Sequence, residues 1–240
     1  MTDIMSRFNN ANEIAIKHRL VLSSMGRESR GKTHFSLTAP GPIAVLNIDM
    51  GLEGVVDKFN DKVIMYQDYI FNKDIGDEAE YARVWSNAKD DFYDALRTEK
   101  LRTIVVDTWT EMYDLVRLAE FGRLEKVLPF YYSKVNSQVN AMIHEALLHD
   151  KNVILISKVK AEYIDDRATG QYVRAGYKDT GFLVQVEIRH YKNDDDEFAI
   201  KIEKSRINNK LVGEHLSGEL CSFPMLASLV FPDTSPEDWV

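Results

Sequence analysis

Eight consecutive residues, Gly26-Arg27-Glu28-Ser29-Arg30-Gly31-Lys32-Thr33, constrain this chain more than any other stretch. They fit the pattern G-x-x-x-x-G-K-[ST] at every fixed position. Two glycines let a backbone close around an anion with its N–H groups pointing inward. A lysine at the seventh position then reaches the outer phosphates of a nucleotide, and a hydroxyl at the eighth holds Mg²⁺. The flanks agree. Arg19 to Ser24 is a short apolar run that reads as a buried strand, and His34-Phe35-Ser36-Leu37 reads as a helix start. Strand, loop and helix in that order is the context the motif requires. The expected contacts of ATP and Mg²⁺ are Gly26, Arg27, Glu28, Ser29, Arg30, Gly31, Lys32, Thr33 and His34.

The rest of the chain continues the same grammar. Residues 43–49, 101–107 and 152–157 are short apolar runs that predict strands. Residues 78–98 carry an apolar stripe of Tyr81, Val84, Trp85, Ala88, Phe92 and Leu96 and predict a helix, as do 110–122 and 133–149. Strands alternating with helices imply an α/β fold with a mostly parallel central sheet flanked by helices. Beyond residue 160 the pattern changes. The polar stretch 161–181 reads as a long loop, and loops of that length are usually functional or disordered. Strands near 183–192 and 197–204 follow, joined by Asn193-Asp194-Asp195-Asp196 as a C-terminal β-hairpin. A short helix near 223–230 and an acidic tail end the chain. The expected division is a core of residues 1–210 and a terminal segment of 211–240.

Composition bounds the function. In 240 residues, 45% are hydrophobic, enough for one large domain with its own core. No apolar run approaches the length of a membrane span, and Met1 to Met5 has none of the pattern of a secretory signal. One cysteine, Cys221, excludes an internal disulfide and a multi-cysteine metal site. No two of the six histidines sit four apart, so a shared metal is not expected. These readings place the protein in a cytoplasm, that of a host if the chain is viral. The net charge of −8 argues against a protein coated in positive charge, and local distribution decides the matter.

Phosphate chemistry needs a second metal-binding carboxylate at the end of an apolar strand. Thr103-Ile104-Val105-Val106-Asp107-Thr108 supplies Asp107, so Thr33 and Asp107 are the expected Mg²⁺ ligands. Hydrolysis also needs a group that orients water. Thr108 occupies the position directly after Asp107, where many such enzymes place a glutamate. Asp49-Met50-Gly51-Leu52-Glu53-Gly54 offers Glu53 first and Asp49 second. Lys158, after the strand 152–157, is placed to read a third phosphate. Lys204 and Arg206 close the last long strand as two same-facing cations that a neighbouring subunit's site would receive.

Together these residues resemble the RecA-fold P-loop ATPases, and within them the short bacteriophage RecA-like recombination and single-strand-annealing ATPases. The resemblance covers about residues 18–210. It rests on the loop 26–33, on the segment Ile48 to Val56, where such proteins carry a catalytic glutamate, and on Lys204-Ser205-Arg206, which is similar to the basic pair acting across a filament interface. Their polar sensor aligns with Ser157 or Lys158, where RecA itself has glutamine. The resemblance implies ATP-dependent binding of single-stranded DNA, homo-oligomeric rings or filaments, strand annealing or exchange, and contact with a single-strand-binding protein. It places DNA on 161–181, through Tyr163, Arg167, Tyr172, Arg174, Tyr177 and Lys178, with Phe130-Tyr131-Tyr132-Ser133-Lys134 as a second candidate. Rings and cations suit single strands, because bases stack and phosphates meet charge. From Lys158 to Lys178 five cations face three acids in an otherwise acidic chain. A helicase, helicase loader or packaging motor of the same fold, a small-molecule phosphotransferase and a non-hydrolysing nucleotide switch are the alternatives that remain open at this point. The acidic tail from Asp233 to Val240 reads as a solubilising, disordered end.

Overall fold

Parallel strands need crossovers, and this chain supplies a helix or a long connection for each one. The structure, a computed structural model, describes residues 16–124 and 127–240, so the Met1–Met5 segment lies outside it. In chain order the elements are β1 (Val21–Gly26), α1 (Lys32–Leu37), β2 (Ile43–Asn47), β3 (Ile64–Asp68), α2 (Glu78–Arg97), β4 (Thr103–Asp107), α3 (Trp109–Phe121), α4 (Tyr132–Leu148) and β5 (Asn152–Ser157). Then come β6 (Val159–Ile164), β7 (Arg167–Arg174), α5 (Thr180–Leu183), β8 (Val186–Lys192), β9 (Phe198–Ser205), β10 (His215–Ser217) and α6 (Phe223–Val230). The main sheet runs β10-β9-β8-β1-β5-β4-β2-β3. Its strands from β8 to β3 are parallel, while β9 pairs antiparallel with β8 and β10 antiparallel with β9. This is the expected α/β architecture with a C-terminal antiparallel hairpin.

The strands β1, β5 and β4 are buried along their whole length because helices cover both faces. On one face, the stripe of α2 packs with Trp109, Met112, Leu115 and Val116 of α3 and Val135, Val139 and Met142 of α4. Asp77 caps α2 by accepting from the Glu80 N–H at 2.8 Å. On the other face, Phe35 and Leu37 of α1 meet Phe223, Leu226, Ala227 and Val230 of α6.

Three regions depart from expectation. The edge strand β3 lies outside the predicted strands, and Met65 and Tyr66 on it are exposed. Residues 159–174 are a two-stranded antiparallel hairpin rather than a loop. Asp165 and Asp166 turn it with φ of 49° and 60°, the positive-φ pair that matches strand twist in a tight turn. The tail is ordered: Pro236–Trp239 form a 3₁₀ turn with a capping box at Ser235, and Trp239, 3% exposed, stacks on Phe231 at 5.4 Å. Burying that indole outweighs the solvation of three nearby acids.

Trp239→Ala is expected to lower unfolding stability in urea by about 3–5 kcal/mol, the usual cost of truncating a buried indole. A change within ~0.5 kcal/mol, the range of surface substitutions, contradicts the packing of the tail.

Candidate functional site

Register aligns the carboxyl ends of four strands. Asn47 pairs with Asp107, Asp107 with Ile156, and Ser157 with Met25. The segments leaving β1, β2, β4 and β5 therefore meet at one edge of the sheet, where ligands bind in open α/β folds. A cleft of about 440 Å³ lies there. It is lined by all of Gly26 to His34, and by Asp49, Gly51, Val55, Lys58, Asp107, Thr108, Lys158, Val159 and Phe198.

The loop has the form its glycines allow. Gly31 has φ of 82°, a left-handed conformation that side chains resist. Gly26 lies against β8, where a Cβ would sit 2.9 Å from the His190 carbonyl oxygen. Among the described residues, no N–H of Arg27 to Gly31 makes a close backbone hydrogen bond, although Glu28 and Ser29 form a turn. Donors left free around a concavity form an anion site. The Lys32 ammonium folds over that concavity and donates to the Arg27 carbonyl at 2.8 Å. Burial pulls its pKa down, and Asp107 and Asp49 oppose the shift.

Asp107 is 2% exposed and accepts from the Thr33 hydroxyl at 2.7 Å. Burial pushes its pKa up to about 6; Asp49 adds to the rise, while the Thr33 hydrogen bond, Lys32 and Lys158 oppose it. A point beside Gly51, where a Cβ would stand, lies 3.1 Å from Asp49 Oδ1, 3.6 Å from Asp107 Oδ2 and 3.9 Å from Thr33 Oγ1. Three hard oxygens converge there, a donor set that suits Mg²⁺, which keeps waters and takes phosphate oxygens as its remaining ligands.

Lys158 sits on the far wall. Its ammonium donates to Glu111 Oε1 at 2.7 Å and stands 3.5 Å from Asp49 Oδ2. Glu111 is also paired with Lys73 at 2.5 Å, and Lys73 with Asp114 at 2.6 Å. Burial lowers the Lys158 pKa, but the Glu111 hydrogen bond and the two carboxylates carry it above its ordinary value.

The structure separates the remaining candidates. Glu53 is exposed and stands outside the cleft lining, whereas Asp49 is in it. Lys204 and Arg206 are outside it too. β9 runs antiparallel to β8, with Lys204 opposite Glu187, so these cations point toward the edge away from the loop. Lys204 donates to the carbonyls of Gly181, Phe182 and Val184, and burial with Arg206 nearby lowers its pKa to about 8. Arg206 is exposed and donates to the Phe182 carbonyl. On the hairpin, Tyr163, Arg167 and Tyr172 are exposed, and so is Lys178 beyond it. Arg174 is not: it is buried, ion-paired with Glu187, and donates to Ser157 Oγ at 2.7 Å. Tyr177 is 6% exposed and stacks on Tyr113 at 5.9 Å. These two pack against Glu187 and Tyr113 instead of facing solvent with the hairpin's exposed side chains.

A sequence model of the AAA domain family matches residues 19–180. This span holds the loop, the hydrogen-bonded oxygens of Thr33 and Asp107, Asp49 and Lys158. The chain belongs to the AAA domain family. Its P-loop ATPase fold and the nucleotide hydrolysis that membership supports agree with the cleft. A comparison with curated proteins finds no match. Among the described residues of this AAA domain, no helix is long and apolar enough to cross a membrane.

Sequence reasoning missed Glu111, Lys73 and Phe198. Glu111 follows Thr108 by three residues and reads as part of a helix start, a role the Thr108 cap fills at 3.2 Å. Nothing in the sequence marks Phe198, whose Cδ1 would lie 3.1 Å from a Cβ on Gly31.

The raised Asp107 pKa has a consequence for stability. Between about pH 4 and 6 the unfolded carboxyl ionises before the folded one, so stability falls as pH rises through that window. The loss saturates above it at about 3 kcal/mol, from roughly two pKa units at ~1.4 kcal/mol each. Asp107→Asn is expected to be more stable than wild type at pH 7.5 without Mg²⁺, by up to about 3 kcal/mol in urea unfolding, and to lose that advantage near pH 4. Equal stabilities at pH 7.5 contradict the buried charge.

Proposed function

We propose that this AAA domain is an ATP-dependent, single-stranded-DNA-binding recombination ATPase of the RecA-like kind, acting in annealing or strand exchange as a homo-oligomer. The observation that carries the reading is the root of the β6–β7 hairpin. β6 starts at Val159, and both Lys158 and Val159 line the cleft. From there the hairpin extends outward with Lys160, Tyr163, Arg167 and Tyr172 exposed. Rings and cations on a projecting hairpin suit a flexible polyanion whose bases are free to stack. The P-loop touches the same hairpin, with the Arg27 guanidinium 5.1 Å from the Tyr172 ring centroid.

Bound Mg²⁺·ATP supplies a phosphoryl group for in-line transfer to water, with charge spread over its oxygens. Loop N–H groups and Lys32 would hold the phosphates, and Thr33 with Asp107 would hold the metal. Asp49 replaces Glu53 as the water-orienting carboxylate, because it lines the cleft beside the oxygens of Thr33 and Asp107 while Glu53 lies outside it. Lys158, between Asp49 and Glu111, reads the outermost phosphate. Arg206, the more exposed of the pair and held by one carbonyl, is the cation a neighbouring subunit would present, whereas Lys204 is committed to three carbonyls around α5.

Steady-state ATPase assays with and without a single-stranded oligonucleotide test the reading. Wild type is expected to bind the strand in ATP and to turn over faster with it. Asp49→Asn is expected to lose about 100-fold or more in turnover, the contribution typical of general base catalysis, while Glu53→Gln stays within about two-fold. Turnover indifferent to the strand, with no binding by anisotropy, overturns the DNA role. Loss in Glu53→Gln rather than Asp49→Asn reassigns the base.

A further inference from the structure

Thr110 lies on the first turn of α3, three residues beyond Asp107, and is 6% exposed. Its hydroxyl accepts from the Lys158 N–H at 2.9 Å and donates to the Ala175 carbonyl at 3.1 Å. The Ala175 N–H in turn donates to the Lys158 carbonyl at 2.9 Å. These three bonds close the neck of the β6–β7 hairpin on one side chain. Gly176 completes the fit, since a Cβ there would stand 3.3 Å from Thr110 Cα.

Lys158 belongs to both ends of this arrangement. Its main chain is in the neck, while its ammonium lies in the cleft between Glu111 and Asp49. The residue next to Thr110 therefore holds the side chain of Lys158, and Thr110 holds its backbone. A triphosphate with its metal changes the charge that Lys158 faces, so the ammonium must divide itself between Glu111 and phosphate oxygens. Any such shift pulls on a backbone segment hydrogen-bonded to Thr110.

We propose that Thr110 is a positioning residue that couples occupancy of the cleft to the geometry of the hairpin. The coupling rests on the cleft being a nucleotide site and is independent of what the hairpin binds. Removing the hydroxyl at constant volume separates the two ends, because the neck then loses both bonds from Thr110 that tie it to the first turn of α3. The hydroxyl is the required feature, so serine preserves the coupling and valine does not.

Hydrogen exchange of amides 159–174, with and without Mg²⁺ and a non-hydrolysable ATP analogue, tests this in wild type, Thr110→Ser and Thr110→Val. Analogue binding is measured in parallel by calorimetry. Loading is expected to change hairpin exchange by at least about five-fold in wild type and Thr110→Ser, the lower end of ordinary allosteric coupling. In Thr110→Val the change is expected to fall to within about 1.5-fold although the analogue still binds. Thr110→Ala, which also lacks the hydroxyl, serves if the valine variant does not fold. A wild-type response in the hydroxyl-free variants overturns the proposal, as does a wild-type hairpin that ignores bound analogue. Absence of analogue binding by calorimetry is a different failure, that of the nucleotide reading itself.

Discussion

A buried carboxylate held against a hydroxyl from the distant first turn of α1 organises this molecule. Thr33 and Asp107 are 74 residues apart in sequence, and their hydrogen bond closes at 2.7 Å. It closes because β1 and β4 are parallel strands separated only by β5, with carboxyl ends at one level. A one-residue slip in either pairing would turn Asp107 into the opposite face of the sheet. The helices on both faces serve this register. They exclude water from β1, β5 and β4, and so make the charge of Asp107 costly and the cations around it effective.

That cost is the usual signature of a functional site. Asp107, Asp49 and Glu111 form an acidic arc, with Lys158 between Asp49 and Glu111, Lys73 between Glu111 and Asp114, and Lys32 over the loop. Lys158 and Lys73 are each placed between two carboxylates rather than on one. Such an arrangement is sensitive to any added anion, because Lys158 is shared between two carboxylates and Lys32, among the described residues, is held only by a carbonyl. The loop with its free N–H groups lies on one side of the arc and the hairpin neck on the other, so the charge balance of the cleft and the geometry of the hairpin meet at Lys158.

Much of this was legible in the sequence. The loop and Asp107 announce themselves because phosphate chemistry restricts residue type and position together. β1, β4, β5 and the α2 stripe are legible because burial imposes a pattern. β3 was not, since an edge strand that exposes Met65 and Tyr66 imposes none. The hairpin escaped for the same reason: both its faces meet solvent, and only the Asp165-Asp166 turn signalled it. The choice between Asp49 and Glu53 depends on how the chain turns after β2, where Met50 takes φ of 60°, and four residues of sequence do not reveal that. Arg174 and Tyr177 have the residue types of a DNA contact, yet packing against Glu187 and Tyr113 uses them as anchors.

The central claim is that main-chain N–H groups and one ammonium grip a nucleotide's phosphates. Calorimetric titration of Mg²⁺·ATP into wild type and Lys32→Ala tests it most directly. Wild type is expected to bind one nucleotide per chain, and the folded variant to bind at least about ten-fold more weakly, a loss of ~1.4 kcal/mol or more. Equal affinities in the two proteins, or no heat in the wild type, would contradict it.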